Sequence, residues 1–123
     1  MTITELQALA YKQSADKGFH DDEPTEGRAL LSLNAERIAL MHSELSEALE
    51  ELRAGRAANE TYYPIRAGNY SPPFKPEGVP SEMADVVIRV LDFCGANNID
   101  LESMITEKLA YNASRGHKHG KAF

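Results

Sequence analysis

The stretch Ile38-Ala39-Leu40-Met41-His42-Ser43-Glu44-Leu45-Ser46-Glu47-Ala48-Leu49-Glu50-Glu51-Leu52-Arg53 decides the fold class. Ile38, Met41, Leu45, Ala48, Leu49 and Leu52 recur at spacings of three and four, the repeat of a helix with one face turned to a core. Asn34 is a candidate N-cap and Gly55 a stop, so the predicted helix begins after Asn34 and runs to about Arg53. An acidic row, Glu44, Glu47 and Glu51, climbs the same helix at the same spacings, so its members are neighbours on the helix surface.

Outward from this helix the pattern stays helical. A first helix is predicted from about Thr2 to Lys17, with Ile3, Leu6 and Ala10 on one face, followed by a polar stretch from Gly18 to Gly27. Ser81 is a good N-cap for a third helix that carries Met83, Val86, Val87, Val90, Leu91 and Cys94 on one face and stops near Gly95. Asp100 caps a fourth, with Leu101, Met104, Ile105 and Leu109 as its core face. Val86-Val87-Ile88 has strand-like composition, but its surroundings have helical period. Between Gly55 and Pro80 the density of prolines (Pro64, Pro72, Pro73, Pro76, Pro80) forbids a regular helix. Tyr62, Tyr63, Tyr70 and Phe74 in that loop point to packing against a neighbouring subunit or a substrate. The expectation is one all-α domain over residues 1–123, a bundle of about four helices with a long Pro/Tyr-rich loop, assembled as an oligomer.

Composition narrows the function. The formal net charge of −6 argues against a nonspecific nucleic-acid binder with a broad basic surface, though bound cations can still reverse a local field for a phosphate ligand. Cys94, the lone cysteine, lies in an apolar stretch and reads as a buried core thiol. The longest apolar stretch, Met83 to Cys94, is interrupted by Asp85, Arg89 and Asp92, so no membrane span is expected. With no leader-like segment at Met1, a cytoplasmic protein is expected.

A second acidic pair, Glu82 and Asp85, repeats the three-residue spacing on the third helix. Both acidic rows lie roughly 110–120° from the centre of their own apolar stripe, at ~100° per residue. If the two helices pack antiparallel, the rows can approach each other. Such like charges repel unless something positive sits between them, and a hard divalent cation with oxygen ligands is the natural solution. Mg²⁺ or Mn²⁺ fits a carboxylate-only set. On the fourth helix Lys108, Asn112 and Arg115 share a face, and the wheel aligns Lys108 with the inward stripe. Together with Lys118 and Lys121 beyond it, Arg115 could hold oligophosphate oxygens. His117 and His119 fit phosphate contact or solvent exposure better than metal binding.

With Glu44-x-x-Glu47-x-x-Glu50-Glu51 followed by Glu82-x-x-Asp85, the chain resembles the MazG-like members of the all-α NTP pyrophosphohydrolase superfamily. Lys108-Leu109-Ala110-Tyr111-Asn112-Ala113-Ser114-Arg115, then His119-Gly120-Lys121, looks like that family's phosphate-contacting tail. Lys75-Pro76-Glu77-Gly78-Val79-Pro80 is similar to what many relatives carry before the second acidic motif. The resemblance implies Mg²⁺ on Glu44, Glu47, Glu82 and Asp85, with Mn²⁺ able to substitute. It implies Glu47 and Glu51 as the catalytic pair, Glu50 or Glu51 orienting a water or ligand. Lys108, Tyr111, Asn112, Arg115, Lys118 and Lys121 then contact substrate, in a homodimer or dimer-of-dimers. The implied reaction cuts a (d)NTP to its monophosphate and pyrophosphate. The chain departs from the family where Gly116, not proline, follows Arg115 and where Gly120 alone precedes Lys121. A specialist acting on dUTP or phosphoribosyl-ATP is the nearest alternative, and a non-catalytic helical interaction module the alternative from another class.

Overall fold

The computed structural model describes residues 1–68 and 70–123. Four helices follow in order: α1 (Ile3–Asp16), α2 (Gly27–Arg53), α3 (Val79–Ala96) and α4 (Leu101–Ala113), with a short 3-10 turn at His117–Gly120. Among the described residues there is no strand, only an isolated antiparallel bridge between Tyr62 and Glu77 in the long loop. Among the described residues no helix is long and apolar enough to cross a membrane.

Local chemistry sets the helix ends. Thr2 and Glu5 form a reciprocal capping box at α1, each side chain taking the other's backbone N–H at 3.0 Å. Asp100 caps α4 by accepting from the Ser103 N–H at 3.1 Å, as its position in the sequence predicts. The start of α2 departs from expectation. The helix begins at Gly27, so the apolar Ala29-Leu30-Leu31 belongs to it and Asn34 lies inside it rather than at its cap. The Asn34 amide instead makes a reciprocal pair with Asn97 at the end of α3 (2.8 and 3.0 Å), which satisfies both polar groups across the helix interface. Likewise α3 starts at Val79, not after Ser81. Gly78 is its N-cap at φ 112°, where a Cβ would meet the Glu60 carbonyl oxygen at 2.3 Å. The Ser81 hydroxyl donates to the Pro76 carbonyl at 3.0 Å.

The middle layer is α3, packed on α1 at one side and on α2 at the other, while α4 rests on α1. Gly95 permits the α1–α3 approach, since a Cβ there would stand 2.8 Å from the Tyr11 Cβ. Hydrogen bonds from Ile3 N–H and the Thr4 hydroxyl to Glu102 (3.1 Å each), and from the Gln7 amide to the Ile99 carbonyl (2.8 Å), fasten α4 to α1. The buried core is small: Ala10, Ala48, Val79, Leu91 and Cys94. The lone thiol is therefore buried, as expected.

The inward faces differ from the sequence expectation. Ile38, Leu45, Leu49 and Leu52 are all exposed and Glu44 is buried, while Ala48 is buried as expected. The reason is geometric. The α2 face against α3 is centred near Arg37, Glu44 and Ala48, and the row Leu31, Ile38, Leu45, Leu49 and Leu52 lies roughly a quarter-turn away at ~100° per residue. Val87 on α3 and Met104 and Leu109 on α4, expected on core faces, are also exposed. Lys108, expected on an inward stripe, is exposed.

Candidate metal centre and cleft

Three of the four carboxylates expected to hold a cation converge. Glu44 and Glu47 from α2 and Glu82 from α3 each present an oxygen within 4.8 Å of the other two. Helix spacing puts Glu44 and Glu47 on adjacent turns, and the α2–α3 contact brings Glu82, in the first turn of α3, opposite them. Glu44 is buried, Glu82 half-buried and Glu47 exposed, so the cluster opens to solvent on one side. One oxygen of Glu82 is sealed from solvent and has no hydrogen-bond donor among the described residues. Burial, then the neighbouring Glu44 and Glu47, push the Glu82 carboxyl up to about 7. A buried acceptor with no donor in an all-oxygen set has ligand chemistry that would suit Mg²⁺ or Mn²⁺.

Asp85 stands one turn further along α3, outside that trio. It lines a cleft of about 580 Å³ between α1, α2 and α3, together with Glu44 and Arg89. Glu44 thus belongs to both the trio and the cleft. The lining of the cleft is mixed: Phe19, Leu33, Leu40, Ile88 and Phe93 are apolar, and Arg37 and Asp92 add charge. A second hollow of about 380 Å³ on the other side of the trio is lined by Glu47, Glu50, Glu51, Glu77 and Glu82, with Lys75 as its cation.

Glu51 faces that second hollow but is already engaged. The Tyr62 hydroxyl donates to it at 2.9 Å, Arg56 stands 3.2 Å away, and the Arg56 guanidinium lies over the Tyr62 ring at 3.7 Å. The long loop is therefore folded back on α2 at this point, which gives one of its tyrosines a partner within the same chain. The hydrogen bond to Glu51, burial and the nearby carboxylates outweigh Arg56 and raise the Tyr62 phenol above its ordinary value.

The residues expected to contact phosphate lie elsewhere. Lys108, Tyr111, Asn112 and Arg115 are on α4, where Lys108 and Arg115 flank the Tyr111 ring at 5.2 and 5.7 Å. Lys118 and Lys121 are exposed in and beside the terminal turn, as are His117 and His119. None of these residues lines either hollow.

Two features escaped sequence reasoning. Arg89 donates from Nε to Glu44 at 2.7 Å, bringing a cation to the edge of the trio. Its place four residues after Asp85, on the same face, was the available signal. The second is a polar cluster behind the cleft. His20, its side chain nearly sealed from solvent, pairs through its two ring nitrogens with Glu23 at 2.9 Å and Asp92 at 2.7 Å, and Arg37 closes the set by pairing with Glu23. His20 and Glu23 are three residues apart, but Arg37 and Asp92 come from two other segments, so spacing along the chain carries no trace of the whole set. No protein-family model, curated protein or solved structure matches the chain.

Proposed function

We propose that the chain is a Mg²⁺-dependent nucleoside triphosphate pyrophosphohydrolase, releasing pyrophosphate and a (d)NMP. The observation that carries this reading is the trio Glu44, Glu47 and Glu82 within 4.8 Å, one Glu82 oxygen buried without a donor, with Glu44 shared by a 580 Å³ cleft that is partly lined by apolar side chains. That combination suits a ligand with an anionic end and a flat apolar end, held through a cation at the first and by side-chain contact at the second.

In this reading Glu44, Glu47 and Glu82 hold the cation and Asp85 joins them from the cleft side. When bound, Mg²⁺ supplies charge that activates a water and offsets charge building on the departing pyrophosphate. Glu51, its carboxylate fixed by Tyr62 and Arg56, orients the water with Glu47. Leu33, Leu40, Ile88 and Phe93 exclude bulk water around the nucleoside. Lys108, Asn112 and Arg115 stand apart from the trio within one chain, so a second copy brings their donors to the phosphates. The exposed row Leu31, Ile38, Leu45, Leu49 and Leu52 supplies an apolar face for that second copy. The same row also favours the interaction-module reading, which needs no cation.

Pyrophosphate release across the standard and modified (d)NTPs with Mg²⁺ tests the proposal and separates general from dUTP or phosphoribosyl-ATP specialists. Glu47→Gln and Asp85→Asn are expected to lower turnover at least about a hundredfold with the fold retained. Release from no nucleotide, or undiminished release by both variants, contradicts it.

A further inference from the structure

We infer that Arg89 is a built-in counter-ion for the carboxylate trio, one that a divalent cation competes with and releases from Glu44. The inference rests on the metal reading above and adds a residue that the acidic motifs do not include. Glu44 is a buried carboxylate, and burying it unpaired is costly. Among the described residues Arg89 is the one cation within salt-bridge distance of any member of the trio, and it reaches Glu44 alone.

The two halves of this pair are unequal. The Glu44 side chain is 12% exposed and the Arg89 side chain 41%. Glu44 is anchored in the α2–α3 contact, so the guanidinium is the partner free to move. The contact is also a single one, through Nε, rather than the two-pronged grip an arginine makes when it is to stay. Beside it lies the open cleft, with Asp85 one turn back on α3 as a second carboxylate within its sweep.

Charge decides the sign of the effect. With the trio empty of metal, Arg89 offsets part of the mutual repulsion. With a dication on the same carboxylates, the guanidinium becomes a like charge a few ångströms away, and the attraction turns to repulsion. Arg89 therefore stabilises the metal-free state more than the metal-bound one, and by linkage it weakens metal binding. Once released into the cleft, it is free to meet an anionic ligand arriving with the metal.

The test is Mn²⁺ calorimetry on the full chain without nucleotide, comparing wild type with R89Q and R89K. R89Q is expected to bind Mn²⁺ about tenfold more tightly, as loss of one partly exposed like charge allows, and R89K to stay near wild type. The metal-free R89Q protein should also melt lower and show a larger upward shift on adding Mn²⁺. As a measurement needing no variant, the Arg89 Nε–H resonance should move on saturation with diamagnetic Mg²⁺. Unchanged or weaker Mn²⁺ binding by R89Q, or an Nε–H signal unmoved by Mg²⁺ that binds, overturns the counter-ion role while leaving the metal site standing. Absence of Mn²⁺ binding from all three proteins overturns the metal reading itself, and the counter-ion role with it.

Discussion

His20 shows how much a single side chain can be asked to do in so small a protein. Both of its ring nitrogens face carboxylates, Glu23 and Asp92, a setting that suits the doubly protonated ring; Tyr11 stacks on it at 4.7 Å and Arg37 completes the surroundings. Burial opposes the charge, but the hydrogen bonds to Asp92 and Glu23 outweigh it and raise the His20 pKa above its ordinary 6.5. Glu23 moves the other way: burial raises it, and His20 and Arg37 more than reverse this, holding it below its ordinary value. The stability from His20 is complete below pH 6.5 and is lost as pH rises through its raised folded value. That from Glu23 is present above 4.5 and lost as pH falls through its depressed folded value. His20→Gln is expected to cost roughly 2 kcal/mol at pH 6 and less at pH 8.5, read from urea unfolding at the two values. An equal loss at both pH values would show that the imidazolium contributes nothing beyond packing.

At the scale of elements, the acidic row of α2 was legible because i, i+3 spacing needs no tertiary information, and Glu82 fell into place once α2 and α3 were taken as neighbours. The direction in which α2 faces was not legible. Its apolar residues are spaced as a core stripe, yet the face toward α3 carries Arg37, Glu44 and Ala48. Periodicity identifies an apolar face but not what covers it. The beginning of α2 was misplaced because Asn34 has cap chemistry, and only its partner Asn97, 63 residues away, shows that the amide is satisfied inside the helix. The trio itself stores repulsion between two helices. At pH 8.5, above the raised Glu82 value of about 7, Glu82→Gln removes one of three converging charges and is expected to raise the melting temperature of chelator-treated protein by about 4 °C, on ~1 kcal/mol, while abolishing pyrophosphate release. A lower melting temperature in the variant would mean that Glu82 is held by favourable contacts.

For the whole molecule, exposed area is the informative quantity. The chain exposes 9195 Å², against about 6,600 Å² for a folded monomer of its mass. Counted over two chains the excess is about 5,200 Å², at the upper end of the ~2,000–5,000 Å² that obligate interfaces bury over both partners. Leu31, Ile38, Leu45, Leu49 and Leu52 account for a continuous part of it along α2. Leu45→Glu with Leu49→Glu is therefore expected to convert an oligomer to monomer in multi-angle light scattering, and to lower pyrophosphate release if a second copy supplies Lys108 and Arg115. A wild-type protein that scatters as a monomer would remove this part of the account. The central claim, that Glu44, Glu47 and Glu82 form a divalent-cation site, is tested most directly by titrating Mn²⁺ and following the free-ion electron paramagnetic resonance signal. Wild type should suppress that signal stoichiometrically per chain, and a Glu44→Gln, Glu82→Gln double variant should leave it at the level of buffer. Identical titration curves for the two proteins would contradict the account.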